Sequence, residues 1–329
     1  PESSAASDVY KRQILMKFLN KTSKDSNFLS LTSLLIGILI LSYQDALIKF
    51  IANDTTFWQL QFIRSFFNIM FLYIIVILSK NKSLLIPENW LPVTIRGTMM
   101  VLCMFCFFSA SPILSLSQMA AGLYTFPIFV TILSIVITKE MVGKYRLMAL
   151  AMGFIGSVFI LQLWKEDFNL YQLLPILAGF FYACNIIMIR KYCRNESPVA
   201  LTFVVGILFF ISGIIGIIFF EFIFEYDQNS TIDFITNGWV DLTLIIFLFI
   251  VACSLLNIIG NLALAKAYQN AESSWLAPLD YFYLVFACLW SKLVFDVWPE
   301  NIEFAGIFLI VTSGLIITYR EKINSKNFQ

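Results

Sequence analysis

Asp280 lies within an otherwise apolar run, two residues after Pro278. A charge inside a membrane segment costs about 2.5 to 3.5 kcal/mol even on lenient scales, so it needs a partner, a water-filled cavity or a function. Pro278 leaves the carbonyl one turn earlier without its helical donor, and a carboxylate beside such a kink can bind a cation, a substrate ammonium or a proton. The structural alternative is an Asp that bonds a neighbouring Tyr or Asn. Asp45 and Arg64 fall at similar depth in adjacent apolar runs, so they are expected to pair or to share a substrate. Arg64 could fork onto a carboxylate or phosphate, or fix the helices through an internal ion pair. Asp45 and Lys49 stand one turn apart and are expected to form an ordinary intrahelical pair, with Lys49 snorkelling outward. Arg96 lies close enough to a membrane edge to reach headgroups. The neutral polar set Asn68, Gln118, Tyr124, Asn185, Asn257, Asn261, Tyr281 and Tyr283 either lines a cavity or bonds between helices.

Other chemistries are excluded by what is missing from the sequence. It contains no histidine, which removes the commonest general base and metal ligand and leaves no nucleophile–base constellation for an intramembrane enzyme. Cys103, Cys106, Cys184, Cys193, Cys253 and Cys288 are scattered mostly through apolar segments and read as packing rather than metal or redox groups. A net charge of +1 provides no basic field for nucleic acid. No Walker motif is present to drive transport with ATP, and no cofactor is implied.

These residues are positioned by ten apolar runs: 29–51, 56–79, 92–110, 114–138, 145–163, 170–189, 198–220, 243–265, 271–291 and 303–319. Each is long enough to cross the hydrocarbon core as a helix, the form that satisfies its own backbone in lipid. The chain is 59% hydrophobic and 13% charged, with a mean hydropathy of +0.82. The leader 1–28 is polar, lacks the apolar core of a secretion signal, and carries Lys11, Arg12, Lys17, Lys21 and Lys24. Alternate links and the tail 322–329, with neighbouring Arg320, complete a set of seventeen basic residues, whereas the opposite links hold only Lys165 and Lys292. This asymmetry places both termini in the cytoplasm and the acidic 221–241 loop outside. Trp58, Trp90, Trp164, Trp239 and Trp298 fall at span ends, as an interfacial belt would. Lys outnumbers Arg fifteen to seven, which points to an AT-rich bacterial genome and hence an inner membrane.

The fourth and ninth runs resemble each other, since Gln118 to Pro127 and Gln269 to Pro278 share one spacing. Each is followed by a run with a late glycine, Gly156 or Gly314. The expected division is therefore 29–164 and 165–321, two five-helix units of which the second enters the membrane inverted. Arg64, Ile95-Arg96-Gly97, Ala120-Ala121 to Pro127, Lys139-Glu140, Ala271-Glu272 to Pro278 and Arg320-Glu321 are similar in order to the EamA family of the drug/metabolite transporter superfamily. The resemblance covers about residues 30–321. It implies an all-α membrane protein of ten transmembrane helices in two inverted five-helix repeats, with both termini cytoplasmic. It also implies a secondary transporter that moves a small, amino-acid- or nucleotide-derived metabolite by alternating access. The second repeat departs from the pattern in having Phe295-Asp296 and Pro299 where the first has Lys139-Glu140. A passive channel and a lipid or xenobiotic exporter are the competing readings. The expected partners are the bilayer, the solute, a proton or another coupling ion, and a second copy of the chain in a homodimer. The expected substrate or coupling residues are Asp280, Arg64, Asp45, Asn257, Asn261, Tyr124, Asn185 and Tyr281, with kinks at Pro127 and Pro278.

Overall fold

Apolar side chains on every face, rather than along one stripe, suit segments that meet lipid on one side and other helices on the other. The computed structural model describes residues 27–79, 82–138, 144–162, 170–193, 196–222, 233–270 and 280–326, and every regular element among them is helical. The helices are α1 (Asn27–Ile51), α2 (Phe57–Ser79), α3 (Trp90–Ser109), α4 (Leu116–Leu123), α5 (Phe126–Leu133), α6 (Lys144–Leu161), α7 (Leu174–Tyr192), α8 (Pro198–Phe222), α9 (Asp233–Thr236), α10 (Leu244–Asn270), α11 (Phe282–Phe295) and α12 (Asn301–Lys326). Short helical turns at Lys82–Leu85, Ser134–Thr138 and Leu170–Leu173 complete the set.

Seven segments are long and apolar enough to cross a membrane: Ser30–Ile51, Phe57–Leu78, Trp90–Ser109, Leu116–Ile137, Leu170–Ile189, Pro198–Phe222 and Leu244–Leu264. Three shorter apolar stretches, Ala151–Ile160, Phe282–Phe295 and Asn301–Ser313, lie where the fifth, ninth and tenth runs are expected. The fourth run is broken rather than continuous. The Ser115 side chain accepts from the Gln118 N–H while the Gln118 side chain accepts from the Ser115 N–H, a capping box that starts α4. The helix then stops at Tyr124, and Pro127 opens α5 as its second residue, where its missing N–H costs nothing. Pro278 and the leader 1–26 lie outside the described residues. The last helix starts at Asn301, where the Glu303 carboxylate accepts the Glu300 N–H at 3.0 Å, and it runs into the expected tail.

α1 packs on α10, α3 on α7, α2 on α8 and α6 on α12, and further contacts join α2 to α10, α3 to α8, α1 to α11 and α4 to α11. Two of these pairs close on glycines. A Cβ on Gly306 would lie 2.5 Å from the Gly156 carbonyl oxygen, and one on Gly156 would lie 2.7 Å from the Gly306 carbonyl oxygen. The late glycine Gly156 thus meets Gly306. In α1 and α10, Gly37 and Gly260 approach each other similarly. Such backbone proximity is how helices gain dispersion contact where lipid offers no hydrophobic drive.

At the end where α1 passes to α2, the segment around α9 is fastened to α2 by three side-chain donors. Thr56 donates to the Gly238 carbonyl at 3.0 Å, Trp58 to Ile235 at 2.8 Å and Gln59 to Val240 at 2.8 Å. Trp58 therefore turns inward, stacked with Phe105 and Phe220, instead of joining an interfacial belt; Trp90, Trp239 and Trp298 are exposed. Ala52, Asp54, Pro112, Phe234, Asn237 and Asp241 help line a cavity of about 480 Å³ beside this segment. At the other end the Glu196 carboxylate accepts from the Glu88 and Asn89 N–H groups at 2.9 and 2.8 Å, just ahead of α3. Gly306→Ala is expected to lower the apparent Tm in detergent markedly, by overpacking of about 1 to 3 kcal/mol. Gly206→Ala, whose Cβ would meet only the Ile69 side chain at 3.3 Å, should change it far less.

Candidate functional site

A chain of polar side chains crosses four helices in the interior. Tyr283 of α11 donates its hydroxyl to one Asp45 oxygen on α1 in a short hydrogen bond, and Gln44 Nε2 donates to the other at 2.9 Å. Gln44 Oε1 accepts from Asn257 Nδ2 of α10 at 2.8 Å, and Asn257 Oδ1 lies 3.4 Å from Asn68 Nδ2 of α2. Asn261 instead donates to the Asn257 backbone carbonyl at 2.8 Å, so its amide serves its own helix.

Aromatic rings form the adjoining wall. Tyr124, released from helical geometry where α4 stops, stacks on Tyr283 with centroids 5.4 Å apart and planes 27° apart, and meets Tyr281 at 5.7 Å. Phe126 carries the cluster on to Tyr182 of α7 at 5.0 Å. Asp280, half-buried just before α11, acts electrostatically on Tyr124, Tyr182 and Tyr281. Asp280, Asp45, Tyr124 and Tyr281 are thus brought into one neighbourhood.

Arg64 and Asp45 feel one another's charge, but no direct ion pair joins them. Arg64 is buried, donates to Gln61 Oε1 at 2.8 Å and lies over the Phe209 ring at 5.8 Å. Lys49 neither pairs with Asp45 nor snorkels. Its ammonium donates to the Ser111 and Leu114 carbonyls at 2.5 and 2.6 Å, in the link between α3 and α4. Arg96 is held by the Leu201 carbonyl at 3.1 Å rather than freed towards headgroups. Gln118 bridges to Glu303 Oε1 at 2.9 Å and serves packing. Asn185 is buried on α7 and no hydrogen bond joins it to the cluster. All six cysteines are free, and no metal-holding group of His, Cys, Asp and Glu occurs among the described residues.

Sequence reasoning missed Gln44, Gln61, Tyr182 and Glu196. Gln61 was within reach, since Gln61, Arg64 and Asn68 share one helical face at i, i+3 and i+7.

Apolar helices of membrane-spanning length around a polar and aromatic interior define a multi-pass membrane protein. The chain belongs to the EamA-like transporter family, whose model matches it twice, over residues 28–162 and 169–319. It is similar to a riboflavin transporter of Vibrio cholerae, 32% identical over 209 residues, which is 64% of each chain and so just under two thirds of that relative's length. It is also similar to an S-adenosylmethionine uptake transporter of Rickettsia prowazekii, 24% identical over 291 residues, 88% of this chain and 92% of that one. A solved crystal structure 17% identical in sequence shares the fold, with a TM-score of 0.58 over 88% of this chain and 96% of its own.

A double-mutant cycle on Asp45→Asn and Tyr283→Phe should show strong coupling, of about 1.5 to 3 kcal/mol as for a hydrogen bond to a charge. The Asp45→Asn and Arg64→Gln cycle should be closer to additive. Unfolding in detergent checks both.

Proposed function

We propose that this chain is a secondary transporter that carries a small organic metabolite across a bacterial inner membrane by alternating access. The observation that carries this reading is the Asp45, Tyr283 and Tyr124 arrangement inside the helical bundle, a hydrogen-bonded carboxylate against stacked aromatic rings. Such a site suits a flat, nitrogen-rich solute, with rings for its faces and carboxylates for its donors. The names of the relatives, riboflavin and S-adenosylmethionine transporters, support that class.

The same reading takes the chain as ten crossings in two inverted five-helix repeats, 29–164 and 165–321, with both termini cytoplasmic. The helix pairing supports it. Exchanging each helix of the first repeat with its counterpart in the second turns the α1–α10 pair into α7–α3, and α2–α10 into α8–α3. The α2–α8 and α6–α12 pairs map onto themselves. The double match of the family model supports the same division. Solute sites in such architectures lie between the repeats, where Asp45 of the first meets Tyr283 of the second. Asp280 completes the proposal as a coupling or ammonium-binding carboxylate, with a proton or another ion as its companion.

Purified protein in detergent should gain thermal stability with riboflavin or S-adenosylmethionine, because specific binding stabilises by mass action. In proteoliposomes the same solute should show saturable counterflow, which a passive channel would lack. Asp280→Asn should cut uptake by about tenfold or more, equivalent to at least ~1.4 kcal/mol, while membrane insertion is unchanged. Undiminished uptake by that variant would remove Asp280 from the mechanism.

A further inference from the structure

One face of α2 carries buried polar groups that the protein leaves partly unanswered. Gln61 is 0% exposed, Arg64 3% and Asn68 8%, and Gln61 Nε2, Arg64 Nε and Asn68 Oδ1 each lack a hydrogen-bond partner. The three residues recur at i, i+3 and i+7, so they share a face. The Arg64-to-Gln61 bond at 2.8 Å holds two of the heads together. Asn68 ties the face to the Asp45 chain through Asn257. Arg64 is a buried cation with no carboxylate in ion-pair contact among the described residues; its neighbours there are an amide oxygen and the Phe209 ring.

An unanswered buried donor costs about 1 to 3 kcal/mol, and more when it is charged. Two other charges of this interior are engaged, Lys49 by two carbonyls and Asp45 by two donors. The α2 face differs in offering two unanswered donors from adjacent heads, with an acceptor one turn further on. That pattern complements a planar group with acceptor oxygens.

Building on the transporter reading, we propose that Gln61, Arg64 and Asn68 form an anchoring subsite for the oxygen-bearing planar edge of the transported metabolite. The oxygens of a carboxylate or a cyclic imide would accept from Arg64 Nε and Gln61 Nε2, and an adjacent N–H would donate to Asn68 Oδ1. The subsite sets specificity by the cost of leaving these donors unanswered, which is why a solute lacking the edge binds more weakly.

The test is calorimetric titration of the full chain in nanodiscs with two matched pairs of probes. The first is S-adenosylmethionine and its decarboxylated form; the second is riboflavin and its N3-methyl derivative, which blocks the imide edge. The wild type is expected to prefer the parent of one pair by at least about tenfold. Arg64→Gln and Gln61→Ala should each reduce that preference to within about twofold. Collapse in the first pair identifies a carboxylate, and collapse in the second an imide. Should Arg64→Gln fail to fold, Gln61→Ala carries the test, because it leaves the guanidinium in place. If both probes of a pair weaken equally and the preference persists, the α2 face is merely structural and the subsite is overturned while the transporter reading stands. If the wild type binds none of the four probes, the proposed solute class fails and the subsite fails with it.

Discussion

Hydrocarbon accepts no hydrogen bonds, and most of this architecture answers to that constraint. Several polar groups that enter the interior are met by partners from distant parts of the chain. Lys49 reaches the open carbonyls beyond α3, and Glu196 reaches the N–H groups ahead of the same helix. α3 is therefore clamped at both ends by charges of the sign that each end favours. Gln118 joins α4 to Glu303 of α12, and Gln162 joins the end of α6 to Glu300. Gln61 Nε2 and Arg64 Nε on α2 are among the buried atoms that find no such partner.

The break in the fourth run serves the site directly. Thr125 folds its hydroxyl back onto the Gly122 carbonyl at 2.7 Å, and Thr131 folds onto Pro127 at 2.9 Å. The first adds to the Thr125 N–H that the Gly122 carbonyl already accepts at 3.1 Å, and the second lies within α5. Tyr124 closes α4, its N–H still donating to the Ala120 carbonyl at 2.9 Å, and the chain leaves that helix only after it. Just before the break, Gly122 of α4 and Gly179 of α7 provide the close approach that seats this half of the run: a Cβ on Gly122 would lie 2.3 Å from Pro175 Cβ.

The helices were legible because length and apolarity decide them locally, and the fourth run was marked for interruption by Pro127. The residue types of the interior were legible for the same reason, since Asp45, Arg64 and Tyr124 are conspicuous against their neighbours. Their partners were not. A one-turn spacing suggests Lys49 for Asp45, whereas the structure supplies Tyr283, 238 residues away. Lys49 is drawn off by carbonyls whose need for a donor appears only once α3 is known to end beside it. Trp58 reads as interfacial by its place at a helix start, and it turns inward because the segment around α9 offers it the Ile235 carbonyl. Glu196 gave no signal, being an ordinary acid in a short link until the fold sets it over two free N–H groups.

Trp290 gives the protein an optical property. Its indole N–H donates to the Ser42 hydroxyl at 3.0 Å, and its ring lies 4.8 Å from that of Tyr43. Ser42 precedes Asp45 by three residues and Trp290 follows Tyr283 by seven, so the indole bridges α1 and α11 two turns from the carboxylate–tyrosine bond. A slide of one helix against the other exchanges that hydroxyl for lipid, water or another side chain. Indole emission is sensitive to each of these environments, so relative movement of the two helices is written into the fluorescence of the unlabelled chain.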